Sequence, residues 1–159
     1  MPEFTIKNLS GETIWKGDAY SLPDALGHLL IETEGWHLPR DMDLRDQDLS
    51  GIPVVPDIDR AILEAVSQPG ACLDMSCWHQ CGTTHCRAGW AIHLAGDAGY
   101  TLERQAQHAG YTLERQAQHA EIAGALIYAA SRPGVPIPDF FCEDEEAMDD
   151  LRRCAGVEA

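Results

Sequence analysis

Residues 99–109, reading Gly-Tyr-Thr-Leu-Glu-Arg-Gln-Ala-Gln-His-Ala, recur without a change as residues 110–120. An identical pair of this length marks a recent or engineered tandem duplication. Eleven residues advance an α-helix by about three turns and overshoot by only roughly 20°. A helix can therefore absorb such an insertion and keep one face turned inward. Leu102, Ala106, Ala109, Leu113, Ala117, Ala120, Gly124 and Ile127 follow one another at spacings of three or four, the repeat of one helical face. The spacing predicts one long helix over residues 100–130. The competing arrangement is a looped-out copy in which Gly110 restarts the helix. A mid-helix glycine costs about 1 kcal/mol, too little to choose between them. A continuous helix would overhang its surroundings by about 16 Å and present a small-residue stripe to a second copy, so a homodimer through the extended helix is expected. His108 and His119 are copies of each other and carry no functional reading of their own.

The densest chemistry lies just upstream, in Cys77-Trp78-His79-Gln80-Cys81-Gly82-Thr83-Thr84-His85-Cys86-Arg87-Ala88-Gly89-Trp90. Three readings compete for it. Zinc wants four soft or borderline donors in a tetrahedron, and Cys77, Cys81, Cys86 and His85 are the candidate ligands. Against this, the chain has no Cys-x2-Cys knuckle, and His85 and Cys86 are adjacent. Catalysis is the second reading. A thiol at a helix N-terminus is acidified by the dipole and the free N–H groups, which would make Cys86 a nucleophile, with His85 or His79 as base and Asp74 as its orienter. The third reading is packing. Thr83 or Thr84 caps a helix running to about Ala95, Cys86 and Trp90 share one face, Gly89 admits another helix, and Trp78 covers the end. His79 and His85 would then be bonded to backbone or solvent. Packing is favoured, because Cys86 sits among Ala88, Gly89 and Trp90 on a helix whose apolar positions spread around the cylinder, and a buried cysteine behaves as a small hydrophobe. On this reading Thr84, Cys86, Gly89 and Trp90 are structural, and no residue is assigned to catalysis or metal. The expected cofactor is none, with zinc as the alternative.

Charge narrows the partners. The chain carries 26 acidic and 11 basic side chains, a formal net charge of −15. Such a field repels phosphate backbones, so direct nucleic-acid binding is disfavoured, and it suits a basic protein partner instead. The opening Met1-Pro2-Glu3-Phe4 has neither the basic nor the apolar stretch of a secretion signal, and no apolar run approaches membrane-spanning length. A cytoplasmic setting with reduced cysteines and no membrane association is expected.

Along the chain, Phe4, Ile6 and Leu9, then Thr13, Ile14 and Trp15, predict a hairpin turning at Ser10-Gly11. Ser21 before Pro23 and Asp24 reads as a helix start, and Gly35 as its stop. Met42-Asp43-Leu44-Arg45-Asp46 and Gln47-Asp48-Leu49-Ser50-Gly51 repeat Asp-Leu after five residues, a period that fits neither helix nor strand. It fits a pentapeptide coil, or a polar loop anchored by two leucines. Pro53 and Pro56 mark a linker. Asp57 or Asp59 is placed to cap a helix carrying Ile62, Ala65 and Val66, and Pro69-Gly70 closes it. Ser131-Arg132-Pro133-Gly134 ends the helix after the duplication. Acids early and Arg152 and Arg153 late predict a last helix over residues 144–154.

This order of pieces resembles a group of bacterial and phage pentapeptide-repeat-containing proteins. The resemblance runs through Phe4-x-Ile6-Lys7-Asn8, the pentapeptide tract, the Gly51-Ile52-Pro53-Val54-Val55-Pro56-x-Ile58-Asp59 linker, the Trp78 to Ala91 block and Leu126-Ile127-Tyr128-Ala129-Ala130-Ser131-Arg132-Pro133. It departs from the pattern in having about two pentapeptide units and in the duplicated eleven residues. It brings no assigned catalytic or binding residue with it.

Together these readings predict an α+β, mainly helical protein. Residues 1–35 form an N-terminal hairpin and helix, 36–56 a vestigial pentapeptide turn and linker, and 57–159 a four-helix C-terminal domain wrapped around the Cys86–Trp90 helix. The expected function is that of a non-enzymatic phage or bacterial accessory protein that binds another protein. A zinc-stabilised module, a cysteine-dependent enzyme and an acidic DNA mimic are the alternatives.

Overall fold

The structure, a computed structural model, describes residues 1–107 and 116–157. Strands β1 (Glu3–Asn8) and β2 (Thr13–Asp18) form the expected hairpin, with Ile6 opposite Trp15. The Asn8 side chain holds the turn by accepting the Ser10 and Glu12 N–H groups, and Gly11 takes the left-handed backbone the turn requires. Strand β3 (Met42–Asp43) adds to the free side of β1, giving the order β2-β1-β3. Helix α1 (Leu22–Glu32) starts as its sequence dictates. Ser21 caps it by accepting the Asp24 N–H, and Asp24 reaches back to accept the Tyr20 N–H.

The five-residue repeat is also visible as structure. Asp43 and Asp48 each accept the N–H two residues on, from Arg45 and Ser50. Leu44 and Leu49 each accept the N–H three residues on, from Gln47 and Ile52. Leu44 is buried, and Leu49 packs against the same core.

Five further helices follow among the described residues: α2 (Ile58–Val66), α3 (Arg87–Leu94), α4 (Asp97–Ala106), α5 (Gln116–Ser131) and α6 (Asp144–Cys154). The last has the bounds read from its charges, with Asp144, Glu145 and Glu146 in the first turn and Arg152 and Arg153 in the last. The continuous helix expected over residues 100–130 is not formed. α4 ends at Ala106, and α5 begins at Gln116 and packs against α4 side by side. The duplication therefore separates two helices. Its junction, residues 108–115, lies outside the described residues. Among the described residues the C-terminal part holds five helices where four were expected.

The centre of the fold is α5, not α3. Ala120, Ile122, Ala123, Ala125, Leu126, Ile127 and Tyr128 are all buried, the signature of a helix covered on every side. α1, α3 and α4 pack on it. Gly124 explains how closely α3 approaches, since a Cβ there would lie 2.7 Å from the Ala88 Cβ. One contiguous core runs from Ile6 in β1 to Leu151 in α6. No helix among the described residues is long and apolar enough to cross a membrane.

Candidate functional site

The Cys/His block folds into a second small sheet. Strand β6 (Thr84–His85) lies between β4 (Cys72–Leu73), parallel to it, and β5 (His79–Cys81), antiparallel. Thr84 is thus a strand residue, not a helix cap. The cap of α3 is Cys86, whose Sγ accepts the Gly89 N–H at 3.3 Å. Gly89 is indispensable, but to a loop and not to a second helix: a Cβ there would lie 1.9 Å from the Trp78 carbonyl oxygen. Trp90 is tied down by its indole N–H, which donates to the Cys72 carbonyl at 3.0 Å.

The sheet sets His79 opposite His85. Their Nδ1 atoms are 2.7 Å apart, and His79 Nε2 is 2.7 Å from Glu103 Oε2 on α4. The histidines are therefore bonded to each other and to a carboxylate, where backbone or solvent was expected. A carboxylate only accepts, so His79 donates to Glu103 through Nε2. Burial, then the neighbouring His79, pushes the His85 imidazole down to about 4, so it is neutral at pH 7. One of the two facing Nδ1 atoms donates and the other accepts, and the remaining ring nitrogen of His85 is Nε2. That atom is buried and has no hydrogen-bond partner among the described residues. Rings close it in: His93 stacks on His85 at 4.7 Å between centroids, and Trp90 meets it edge-on at 4.7 Å. His93 in turn bonds the Tyr100 hydroxyl at 2.9 Å.

This geometry works against both sharp readings of the block. Burial pushes the Cys86 thiol up to about 12, because low-dielectric surroundings disfavour a thiolate more than the helix terminus favours it. Its partner is an amide, not an imidazole. The acidified thiol is Cys81, exposed at the end of β5 and brought down to about 7 by the Thr83 hydroxyl and amide and by Thr84. Cys77 is instead raised by burial and by nearby Asp74. The metal candidates Cys77, Cys81, Cys86 and His85 do not converge. Among the described residues no three His, Cys, Asp or Glu side chains are placed to hold a metal ion.

Next to this block lies a polar cluster that sequence reasoning missed. Arg87, the first residue of α3, is fully buried. It donates to Asp59 at 2.7 Å, to the Tyr128 hydroxyl at 3.0 Å and to Asp150. Tyr128 donates to Asp59 at 2.8 Å, and Arg132 reaches the other Asp59 oxygen at 2.9 Å. Both guanidinium groups lie over the Tyr128 ring. Asp57 takes the cap position of α2, and Asp59, the other candidate for it, serves two arginines, in a cluster that joins α2, α3, α5 and, through Arg87–Asp150, α6. An arginine inside an otherwise small and apolar helix is the one signal that could have pointed to it. Arg87 and Asp150 also line a polar cavity of about 220 Å³ together with Arg40, Asp139, Cys142 and Glu146.

Large aromatic side chains are also exposed. Trp36 is 54% exposed and takes a left-handed backbone, φ 57°, a rare conformation for a bulky side chain. The adjacent His37 packs on Phe141 with centroids 3.9 Å apart, and Trp78 meets Phe141 edge-on at 5.7 Å. Phe141 is itself 47% exposed. Asp139, Glu143, Asp144, Glu145 and Glu146 surround it in sequence.

Comparison with protein-family models, with curated proteins and with solved structures found no match.

Proposed function

We propose that this protein is a non-enzymatic accessory protein, of bacterial or phage type, that binds a basic protein partner through the patch around Trp36 and Phe141. The observation that carries the reading is Trp36: a large aromatic side chain, half out in water, held in a left-handed backbone conformation and followed in sequence by His37, which packs on Phe141. Strain of that kind costs on the order of 1–3 kcal/mol and persists where something is gained from it. Exposed aromatic anchors inside a polar rim are the usual energetic centre of a protein interface. Five acids flank Phe141 in sequence and the whole chain is at −15, which favours encounter with a positively charged surface. The non-enzymatic part rests on the Cys/His block, whose one buried thiol is held protonated and whose spare imidazole nitrogen is walled in.

The test has two steps. Cross-linking of tagged protein in its host identifies a partner, and the purified pair is then titrated by calorimetry. The reading expects a basic partner, binding that weakens as salt is raised, and a loss of about tenfold or more for Trp36→Ala. Salt-independent binding that survives Trp36→Ala would overturn it. So would turnover of any substrate that is lost in Cys86→Ser.

A further inference from the structure

Behind Phe141 lies a cavity of about 210 Å³ whose lining includes Leu38, Ala125, Ile137, Pro138 and Phe140, with Glu121 among them. Glu121 comes from the central helix α5 and is 3% exposed. Its Oε2 accepts the Leu38 N–H at 2.7 Å. Its Oε1 makes no hydrogen bond among the described residues; His37 Nδ1 lies 3.9 Å away, beyond hydrogen-bonding range. The cavity thus joins apolar walls to one unsatisfied carboxylate oxygen. Burial alone pushes the Glu121 carboxyl up to about 7 against the pull of the Leu38 amide. Arg40, His37 and Asp139 also line the space. The Arg40 Nε–H is committed to the Ile137 carbonyl, and Asp139 to the Phe141 amide.

Resting on the interaction reading above, we propose that this cavity receives a lysine side chain of the basic partner, with the ammonium on Glu121 Oε1 and the aliphatic stem along Leu38, Ile137 and Phe140. A lysine offers a four-carbon apolar stem that packs on hydrophobic walls and a compact charge at its end. An arginine fits less well: its planar fork is best met by two carboxylate oxygens, and here one is already taken by Leu38. The size is appropriate, since an apolar cavity of about 150 Å³ holds a benzene ring. The flanking Phe141 adds an aromatic face for the arriving cation.

The probe is Nα-acetyl-lysine N-methylamide, titrated into the whole protein and followed by NMR at the Leu38 amide and the Phe140 and Phe141 rings. The norleucine analogue, which keeps the stem and lacks the ammonium, is the control. The lysine probe should shift these signals and bind about tenfold or more tightly than norleucine, and Glu121→Gln should erase that difference. Equal binding of the two probes to the unaltered protein would overturn the assignment, and so would no shift with either. Because the probe needs no partner, such a failure leaves the broader interaction reading to its own test. A partner that binds Glu121→Gln as tightly as the parent would sink the lysine pocket alone.

Discussion

Glu121→Gln should make the protein more stable in alkaline solution and leave it nearly unchanged in acid. The folded Glu121 carboxyl titrates at about 7, against an ordinary 4.5. Its folded value is raised, so the folded state holds the proton more tightly. Stability from this group is complete below pH 4.5 and is lost as pH rises through 7. Above about pH 8 the buried carboxylate then costs on the order of 3 kcal/mol. Glutamine is close to isosteric and keeps an oxygen to accept the Leu38 N–H, so the structural bond survives while the charge does not. Over this chain length, about 3 kcal/mol corresponds to roughly 6–12 °C in Tm. Thermal melts of parent and variant followed by circular dichroism at pH 4.5, 6 and 8 measure it. Every other titrating group is common to both proteins and cancels in the difference. The gain should be near zero at the lowest pH and full at the highest. A variant that is equally or less stable than the parent at pH 8 would refute the account of a buried, uncompensated carboxyl.

His85 works in the opposite sense: its folded value is depressed to about 4, so it favours the fold above about pH 6.5 and withdraws that support as pH falls toward 4. In the Glu121→Gln background the melting temperature should therefore drop on acidification through this window, and adding His85→Asn should flatten the curve. Arg87→Met strips the guanidinium from Asp59, Tyr128 and Asp150 and should cost about 3–5 kcal/mol in urea unfolding; a loss under 1 kcal/mol would mean the cluster is not coupled to stability. Gly89→Ala places a methyl group 1.9 Å from the Trp78 carbonyl and should destabilise by about 1–3 kcal/mol or more, whereas alanine at the unobstructed Gly82 should be mild by the same assay.

The local signals in the sequence translated well. Ser21, Gly11 and the charge order of residues 144–154 act through neighbours a few positions away, and each element they predict is present. The two Asp-Leu units likewise repeat one local hydrogen-bond pattern. Apart from the α3 cap, which is Cys86 and not Thr84, the errors are long-range. A stripe with helical spacing constrains the turns of each helix and not the path between them, so it did not show that α4 and α5 pack side by side. Asp59 looks like a cap because its partners Arg87, Tyr128 and Arg132 lie 28 to 73 residues away. Cys86 is buried, as the packing reading held, and there burial by distant elements outweighs the helix terminus; the acidified thiol is Cys81. Glu121 looked like one more acid in an acidic chain until β3's flank and the Pro-rich turn enclosed it.

Native-state alkylation with iodoacetamide, mapped by mass spectrometry as a function of pH, reads most directly whether the sulfur and imidazole groups at the centre are structural. Cys81 should be labelled first, with a midpoint near pH 7, and Cys86 should stay unlabelled through neutral pH until urea unfolds the chain. Labelling of Cys86 in the folded protein at neutral pH, at a rate comparable to Cys81, would contradict the closed centre on which the non-enzymatic reading stands.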